Sequence, residues 1–213
     1  MPHPEPVSTP MTRRIAHPMF LRAIHWVNAL ATLAMIASGW RIYNASPLYG
    51  FLFPVEFSLG GWLAGALAWH FAMMWLLFGG LIAYFVYALV TGRLWRELAP
   101  PTPRALWRDA VLIAGGRLER RPGAYNAIQR LAYVTAFAAL ALAIASGFAI
   151  WKPVQLFELT AFFGGFETAR RVHFFAMVGL CVFCAVHISM AFAHKDALRA
   201  MTTGEQNNRE AAP

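Results

Sequence analysis

Residues 170–195 read R-R-V-H-F-F-A-M-V-G-L-C-V-F-C-A-V-H-I-S-M-A-F-A-H-K and form the last long apolar stretch of the chain. His173 and His187 lie fourteen residues apart in it. In an α-helix, fourteen residues rise about 21 Å and turn back to within about 40° of the starting direction. Both imidazoles therefore face the same way, near opposite faces of a hydrocarbon layer about 30 Å thick. Ionisable side chains at this depth are costly, and we expect them to be functional.

The composition of the 213-residue chain is that of a membrane protein. Hydrophobic residues make up 59% of it and charged residues 13%, whereas a soluble domain is nearer half apolar and a quarter charged. We attribute the net charge of +8 to topology, because Lys and Arg collect on the cytoplasmic side of a membrane. The expected partner of this surface is membrane lipid, not nucleic acid.

Four apolar segments are long enough to cross a membrane. They cover residues 20–42, 62–91, 127–151 and 169–194. The N-terminus, the loop 92–126 and the C-terminal end are basic, whereas the two aromatic connectors carry few charges. The positive-inside rule then places both termini in the cytoplasm. The predicted fold class is all-α, an integral membrane four-helix bundle.

We divide the chain into a cytoplasmic N-terminal segment (1–19), a four-span domain (20–200) and a polar C-terminal tail (201–213), disordered after Thr202. A cleaved signal peptide is not expected, because no short apolar run with a small-residue cleavage site follows the basic N-terminus. Trp95 and Trp107 are expected to anchor the 92–126 loop at headgroup level.

Depth in the membrane sorts four histidines into two pairs. Counted from the cytoplasmic span ends, His70 and His173 are each 21 residues deep, whereas His25 is five and His187 seven residues deep. An antiparallel bundle brings positions of equal depth together. We therefore predict an outer pair, His70 with His173, and an inner pair, His25 with His187.

Each histidine pair offers two axial nitrogens to one haem iron, an arrangement suited to electron transfer rather than oxygen binding. A single buried histidine is often only a packed residue, but two depth-matched pairs disfavour that interpretation. Zinc is rejected because the pairs lie about four helical turns apart, whereas a tetrahedral site gathers its ligands within about 2 Å of the metal. Cys181 and Cys184 are interpreted as packing residues, since no histidine directly follows the second cysteine as covalent haem attachment requires.

The chain contains an internal repeat. Residues 36–40 (I-A-S-G-W) recur as 144–148 (I-A-S-G-F), and a double glycine then precedes a histidine by eight or nine residues in each half. This pattern indicates a parallel duplication with its axis along the membrane normal, with chance identity among small residues as the alternative. Gly39 and Gly147 permit close approach of either a flat macrocycle or a neighbouring helix.

Arginines stand beside the predicted ligands. Arg22 lies three residues before the first histidine, and Arg170 and Arg171 come just before the one that opens the last span. Each is a candidate partner for a haem propionate at its own membrane face. For Arg170 and Arg171, a plain interfacial anchor is an equal alternative.

A quinone site needs hydrogen-bond donors for two carbonyl oxygens near a haem edge. The cytoplasmic mouth offers Asn126, Gln129 and His194, the last two turns beyond His187 on nearly the same helix face. The alternatives are that Asn126 is a helix cap and that His194 marks the membrane interface. The outer mouth is the second candidate.

These motifs together resemble the prokaryotic cytochrome b561 family. They are R-x-x-H-W at 22–26, the lone His70, Y-N-A-I-Q-R at 125–130, A-S-G-F in the third span and H-x13-H in the fourth. The similarity covers about residues 15–200. The family includes the b-type subunits of nickel-iron hydrogenases, formate dehydrogenases and thiosulfate reductases.

The resemblance implies a bundle in the bacterial inner membrane with two non-covalent b haems, held by His25 with His187 and by His70 with His173. It also implies electron exchange between the quinone pool of a respiratory chain and an extracytoplasmic oxidoreductase subunit, with molybdopterin or a similar cofactor. The chain lacks the fifth span of the hydrogenase and thiosulfate reductase type, which leaves the partner open.

Two other functions stay open at this point. The first is a stand-alone superoxide:quinone oxidoreductase, in which the cationic pair Arg170-Arg171 attracts an anion. The second is a membrane scaffold without haem. Copurification with a partner subunit favours the electron conduit over the stand-alone enzyme.

Overall fold

The computed structural model describes residues 13–15, 17–94, 100–117 and 126–207. Within these residues, four helices are long and apolar enough to cross a membrane. They are α1 (Met19–Ala45), α2 (Leu63–Val90), α4 (Ala127–Trp151) and α6 (Phe166–Ala193). Every end lies within three residues of the predicted span. The all-α four-helix membrane fold is confirmed.

The four helices pack as two pairs, α1 along α2 and α4 along α6. Aromatic side chains join the pairs. Tyr84 of α2 stacks on Phe137 of α4 with ring centres 5.8 Å apart, and Tyr43 of α1 lies 5.4 Å from Phe174 of α6. We call the end where α1 begins and α6 ends the terminal side, and the opposite end the connector side.

The two aromatic connectors contain no spanning helix within the described residues, as predicted. The first holds a short 3-10 helix (Val55–Phe57), and the second holds α5 (Phe157–Phe162). Each connector is tied to the helix before it. The N–H of Leu59 donates to the carbonyl of Ala37 at 3.0 Å, and the Thr160 hydroxyl donates to the carbonyl of Ala149 at 3.2 Å.

The repeated double glycine has a conformational reason. Gly60 and Gly61 have φ of 107° and 68°, and Gly164 and Gly165 have φ of 81° and 98°. Residues other than glycine rarely adopt this left-handed backbone conformation. In both halves, the pair turns the connector into the following spanning helix, α2 or α6.

The 92–126 loop, predicted only as a basic connection, contains a helix, α3 (Pro103–Ala114). Its start follows standard capping chemistry, because the Thr102 hydroxyl accepts from the N–H of Ala105 at 3.3 Å and proline fills the first helical position. Trp107 is highly exposed on α3, and its role as a membrane anchor stays a prediction. Trp95 lies outside the described residues, as does Tyr125 of the 125–130 motif.

The two ends of the described chain meet at the terminal side. Strand β1 (Arg13–Ile15) pairs antiparallel with β2 (Glu205–Asn207), which follows α7 (Lys195–Thr202). The prediction of a disordered tail after Thr202 is therefore wrong for residues 205–207. An even number of spans returns the chain to its starting side, and the strand pairing depends on that proximity, which the polar composition of the tail does not reveal.

Asp109 ties α3 to the start of α4. The residue is only 3% exposed, and its Oδ2 accepts from the N–H of Ala127 at 2.7 Å. Arg108 donates to Oδ1 through Nε at 3.1 Å and Nη2 at 3.0 Å. The N–H of Ala127 lowers the pKa of Asp109 below its ordinary value, and Arg108 lowers it further although burial opposes both. A carboxylate at a helix N-terminus also interacts favourably with the helix dipole.

We predict that Asp109→Ala lowers the free energy of unfolding by about 1.5–3 kcal/mol at pH 7, the usual worth of a hydrogen bond to a charged group. Because the pKa is lowered in the folded protein, this stabilisation is complete above the ordinary pKa of 3.8 and disappears as the pH falls through the lowered pKa. Thermal unfolding of the purified protein in detergent measures it. Asp196→Ala, an exposed aspartate on α7, is the control, and equal effects of the two substitutions would contradict the assignment.

Candidate functional site

Two histidine pairs face each other across the bundle at two levels. The ring centres of His25 on α1 and His187 on α6 are 6.0 Å apart, near the terminal side. Those of His70 on α2 and His173 on α6 are 6.4 Å apart, towards the connector side. The pairs brought together are those that the depth count predicts. Along α6, the two levels are about 21 Å apart.

Both spacings match two imidazoles on opposite sides of one metal ion. A metal–nitrogen bond of about 2 Å, plus about 1 Å from a ring nitrogen to its ring centre, places two such rings about 6 Å apart. The observed separations are 6.0 Å and 6.4 Å. The two histidines at each level would therefore fit one haem iron between them. No cluster of three or more His, Cys, Asp or Glu side chains arranged for a metal occurs within the described residues.

The connector-side histidines have polar partners on the neighbouring helix. Ser38 Oγ lies 3.0 Å from His70 Nδ1, and Ser146 Oγ lies 3.2 Å from His173 Nδ1. The carbonyl oxygen of Ala143 is a further 2.9 Å from His173 Nδ1. Both serines belong to the repeated I-A-S-G sequence, so the two halves of the chain build the same contact. The repeat is visible in the sequence, but the contact of its hydroxyl group with a histidine is not, because the histidine lies on another helix.

The repeated glycines leave room for these imidazoles. A Cβ atom added to Gly39 would lie 3.5 Å from Cε1 of His70, and one added to Gly147 would lie 3.2 Å from Cε1 of His173. The close neighbour of each glycine is thus the ring of a histidine on the adjacent helix. The contact is ordinary at Gly39 and tight at Gly147.

Arg22, predicted beside the inner pair, contacts the C-terminal helix. Its Nη1 donates to the carbonyl of Thr202 at 2.7 Å, and Trp26 Nε1 donates to the carbonyl of Met201 at 3.1 Å. The first and last residues of the R-x-x-H-W motif therefore hold the end of α7 over the terminal side. The Nε of Arg22 is buried and has no hydrogen-bond partner among the described residues.

Arg170 and Arg171 differ in their surroundings. Arg170 Nη1 donates to both carboxylate oxygens of Glu167 at 3.2 Å. Its Nη2 donates to the carbonyl and the hydroxyl of Ser46, at the end of α1. Arg171 is exposed. Arg170 therefore joins the start of α6 to the end of α1 on the connector side.

The predicted quinone residues have structural contacts of their own. Asn126 and Gln129 form a capping box at the start of α4. Asn126 Oδ1 accepts from the N–H of Gln129 at 2.8 Å, and Gln129 Oε1 accepts from the N–H of Asn126 at 3.1 Å. These contacts use the amide oxygens and not the NH2 groups. His194, at the end of α6, has Nδ1 2.8 Å from the carbonyl oxygen of Met190.

Comparison with known proteins gives two matches. The sequence profile of the family described as "Prokaryotic cytochrome b561" matches residues 16–204. The chain is also 43% identical over 189 residues to a protein from Azospira oryzae named "Putative protein-methionine-sulfoxide reductase subunit YedZ1". That alignment covers 88% of this chain and 96% of the relative.

The two glycines provide a prediction about the packing of the connector-side pair. Replacing a helical glycine with alanine gains about 1 kcal/mol of helix propensity, and we expect Gly39→Ala to keep most of that gain. Gly147→Ala must displace the ring of His173, which costs about 1–3 kcal/mol. Thermal unfolding of the two variants should therefore show Gly147→Ala to be the less stable. Equal stability would contradict the tight contact at Gly147.

Proposed function

This chain belongs to the prokaryotic cytochrome b561 family, and we propose that it is the two-haem electron-transfer subunit of a membrane oxidoreductase. Its family and its four spanning helices identify it as a multi-pass membrane protein that transfers electrons through haem b. The number of haems, the ligands, the quinone and the partner are the proposed part.

The observation that carries the proposal is the pair of facing histidines at each of two levels. We assign His25 and His187 to the terminal-side haem and His70 and His173 to the connector-side haem. A b haem bound by two imidazoles has no open coordination position and supplies one-electron exchange. The apolar helices around the four rings exclude water, and the fixed ring positions hold each centre at a set depth.

Arginine contacts support the assignment of the propionates. The buried Nε of Arg22 lacks a partner among the described residues, and an anionic group beside it would satisfy this donor. We assign Arg22 to a propionate of the terminal-side haem. On the connector side, Arg170 shares its charge with Glu167, so the exposed Arg171 is the better of the two candidates there.

We place both termini in the cytoplasm of a bacterium and the connector side outside the inner membrane, because the basic segments lie on the terminal side. The catalytic partner then docks outside the cytoplasm. The name of the Azospira oryzae relative describes a subunit of a protein-methionine-sulfoxide reductase. This supports a partner that acts on sulfoxides, and it favours a conduit over a stand-alone superoxide:quinone oxidoreductase. A conduit retains its partner during mild copurification, whereas a stand-alone enzyme does not.

Quinone exchange is assigned to the terminal side. The NH2 groups of Asn126 and Gln129 remain available as donors when their oxygens form the capping box. His194, at the end of α6, is the third candidate residue. Donors to two carbonyl oxygens are what a quinone ring requires.

The ligand assignment predicts a paired loss of haem. Wild-type protein should yield two haems per chain by pyridine haemochrome assay, all extractable with acid acetone. His70→Ala and His173→Ala should each remove one haem and leave the same residual spectrum. His25→Ala and His187→Ala should each leave the other spectrum. His17→Ala, outside the spans, is the control and should keep both haems. If His70→Ala left the same spectrum as His25→Ala, the pairing would be wrong.

The quinone assignment is tested by separating the cap from the donor. Asn126→Ser keeps a capping oxygen but removes the amide donor, and Gln129→Glu keeps the capping-box acceptor but removes its NH2 group. Both variants should hold two haems and re-oxidise about fivefold more slowly with a quinone analogue, the usual effect of one lost hydrogen bond. Stopped-flow absorbance measures the rate. Unchanged rates in both variants would move the site away from these residues.

A further inference from the structure

Ser38 and Ser146 are the most deeply buried polar residues of the spanning helices, and the exposed fraction of each is 0%. Each hydroxyl lies within hydrogen-bond distance of Nδ1 of a histidine on the adjacent helix, at 3.0 Å for His70 and 3.2 Å for His173. The two contacts come from equivalent positions of the internal repeat. A contact built twice in this way requires a physical account.

The direction of these hydrogen bonds follows from the acceptors around them. Each serine has one hydroxyl proton, which it donates to a carbonyl of its own helix, that of Ala34 at 2.7 Å for Ser38 and that of Leu142 at 2.6 Å for Ser146. The serine oxygen therefore accepts from the imidazole. His173 Nδ1 also lies 2.9 Å from the carbonyl oxygen of Ala143, which can only accept. Nδ1 must carry the proton.

The contact of His70 has the same direction. The Ser38 hydroxyl donates its proton to the carbonyl of Ala34 at 2.7 Å, so its oxygen accepts from His70 Nδ1 at 3.0 Å. With the proton held on Nδ1, the lone pair of each neutral ring is on Nε2. Nε2 is thus the nitrogen available to a metal at both rings. Within the described residues, no such hydrogen bond reaches the ring nitrogens of His25 or His187.

We propose that Ser38 and Ser146 are positioning residues that fix the Nδ1–H tautomer of His70 and His173 and make both rings stronger electron donors. This proposal rests on the proposed function, because it concerns the connector-side haem. A hydrogen bond from the remote nitrogen of a ligating histidine orients the ring and raises its basicity. A more basic ligand stabilises the ferric state, so the two serines lower the midpoint potential of one of the two centres.

Serine hydroxyls in membrane helices often bond only to their own helix, and Ser189 is such a case. Its hydroxyl donates to the carbonyl of Ala185 at 2.8 Å, and the residue is exposed on α6. Ser189 therefore matches Ser38 and Ser146 in its bond within the helix, but no imidazole of the described residues bonds to its hydroxyl. This makes Ser189→Ala the matched control for the loss of a serine from the bundle.

The experiment is a spectroscopic redox titration of the full-length, haem-loaded protein and of Ser38→Ala, Ser146→Ala and Ser189→Ala. Both test variants should raise the midpoint potential of the same component and leave the other component unchanged. Each tenfold loss of affinity for ferric haem relative to ferrous haem raises the potential by 59 mV. Ser189→Ala should move neither. Unchanged midpoints in both test variants, or shifts in different components, would overturn the proposal.

Loss of haem from a test variant is resolved by its threonine counterpart. Losing the hydrogen-bond partner of a ligating histidine lowers metal affinity by about 10- to 100-fold. If an alanine variant loses one haem, the matching Ser38→Thr or Ser146→Thr variant is therefore measured. Recovery of the haem and of the wild-type potential by threonine supports the proposal, and failure to recover them overturns it. A wild-type protein without two haems contradicts the proposed function itself, before any serine is changed.

Discussion

Polar nitrogen atoms inside a hydrocarbon layer need partners, because no water is present to supply them. The four histidines place this demand at two depths of the bundle. On the connector side, α1 supplies a hydroxyl to the ring carried by α2, and α4 supplies one to the ring carried by α6. The helices pack in those same two pairs. The two rings of each pair face each other across the bundle, with centres 6.0 Å apart on the terminal side and 6.4 Å apart on the connector side.

The duplication is complete on the connector side and broken on the terminal side. When Ser38 is aligned with Ser146, the position equivalent to His25 is Tyr133 of α4. When His70 is aligned with His173, the position equivalent to His187 is Tyr84 of α2. Each half therefore contributes one histidine to the terminal side, whereas an exact duplication would give two histidines in each half and four in total. On the terminal side, Arg22 and Trp26 instead donate hydrogen bonds to the end of α7.

The sequence predicts the spans and the pairing of the histidine rings because both follow from length and depth, which are local counts along each helix. Asp109 was missed because its partner, the N–H of Ala127, lies beyond a stretch of loop that carries no periodic signal. The contact of Arg22 with Thr202 joins residues 180 positions apart, and no local pattern indicates it. The cap at Asn126 was predicted as an alternative, since asparagine three residues before glutamine is a local signature.

The central claim is that each of two levels in the membrane holds one iron between two histidines, with no position left for a further ligand. Carbon monoxide binding to the reduced, purified wild-type protein tests this most directly, when read together with the absorbance of both haems. The account predicts that the spectrum of the reduced protein does not change when carbon monoxide is added, because both axial positions of both irons are filled. A carbon monoxide adduct on all or half of the haem would show an open position and contradict the account.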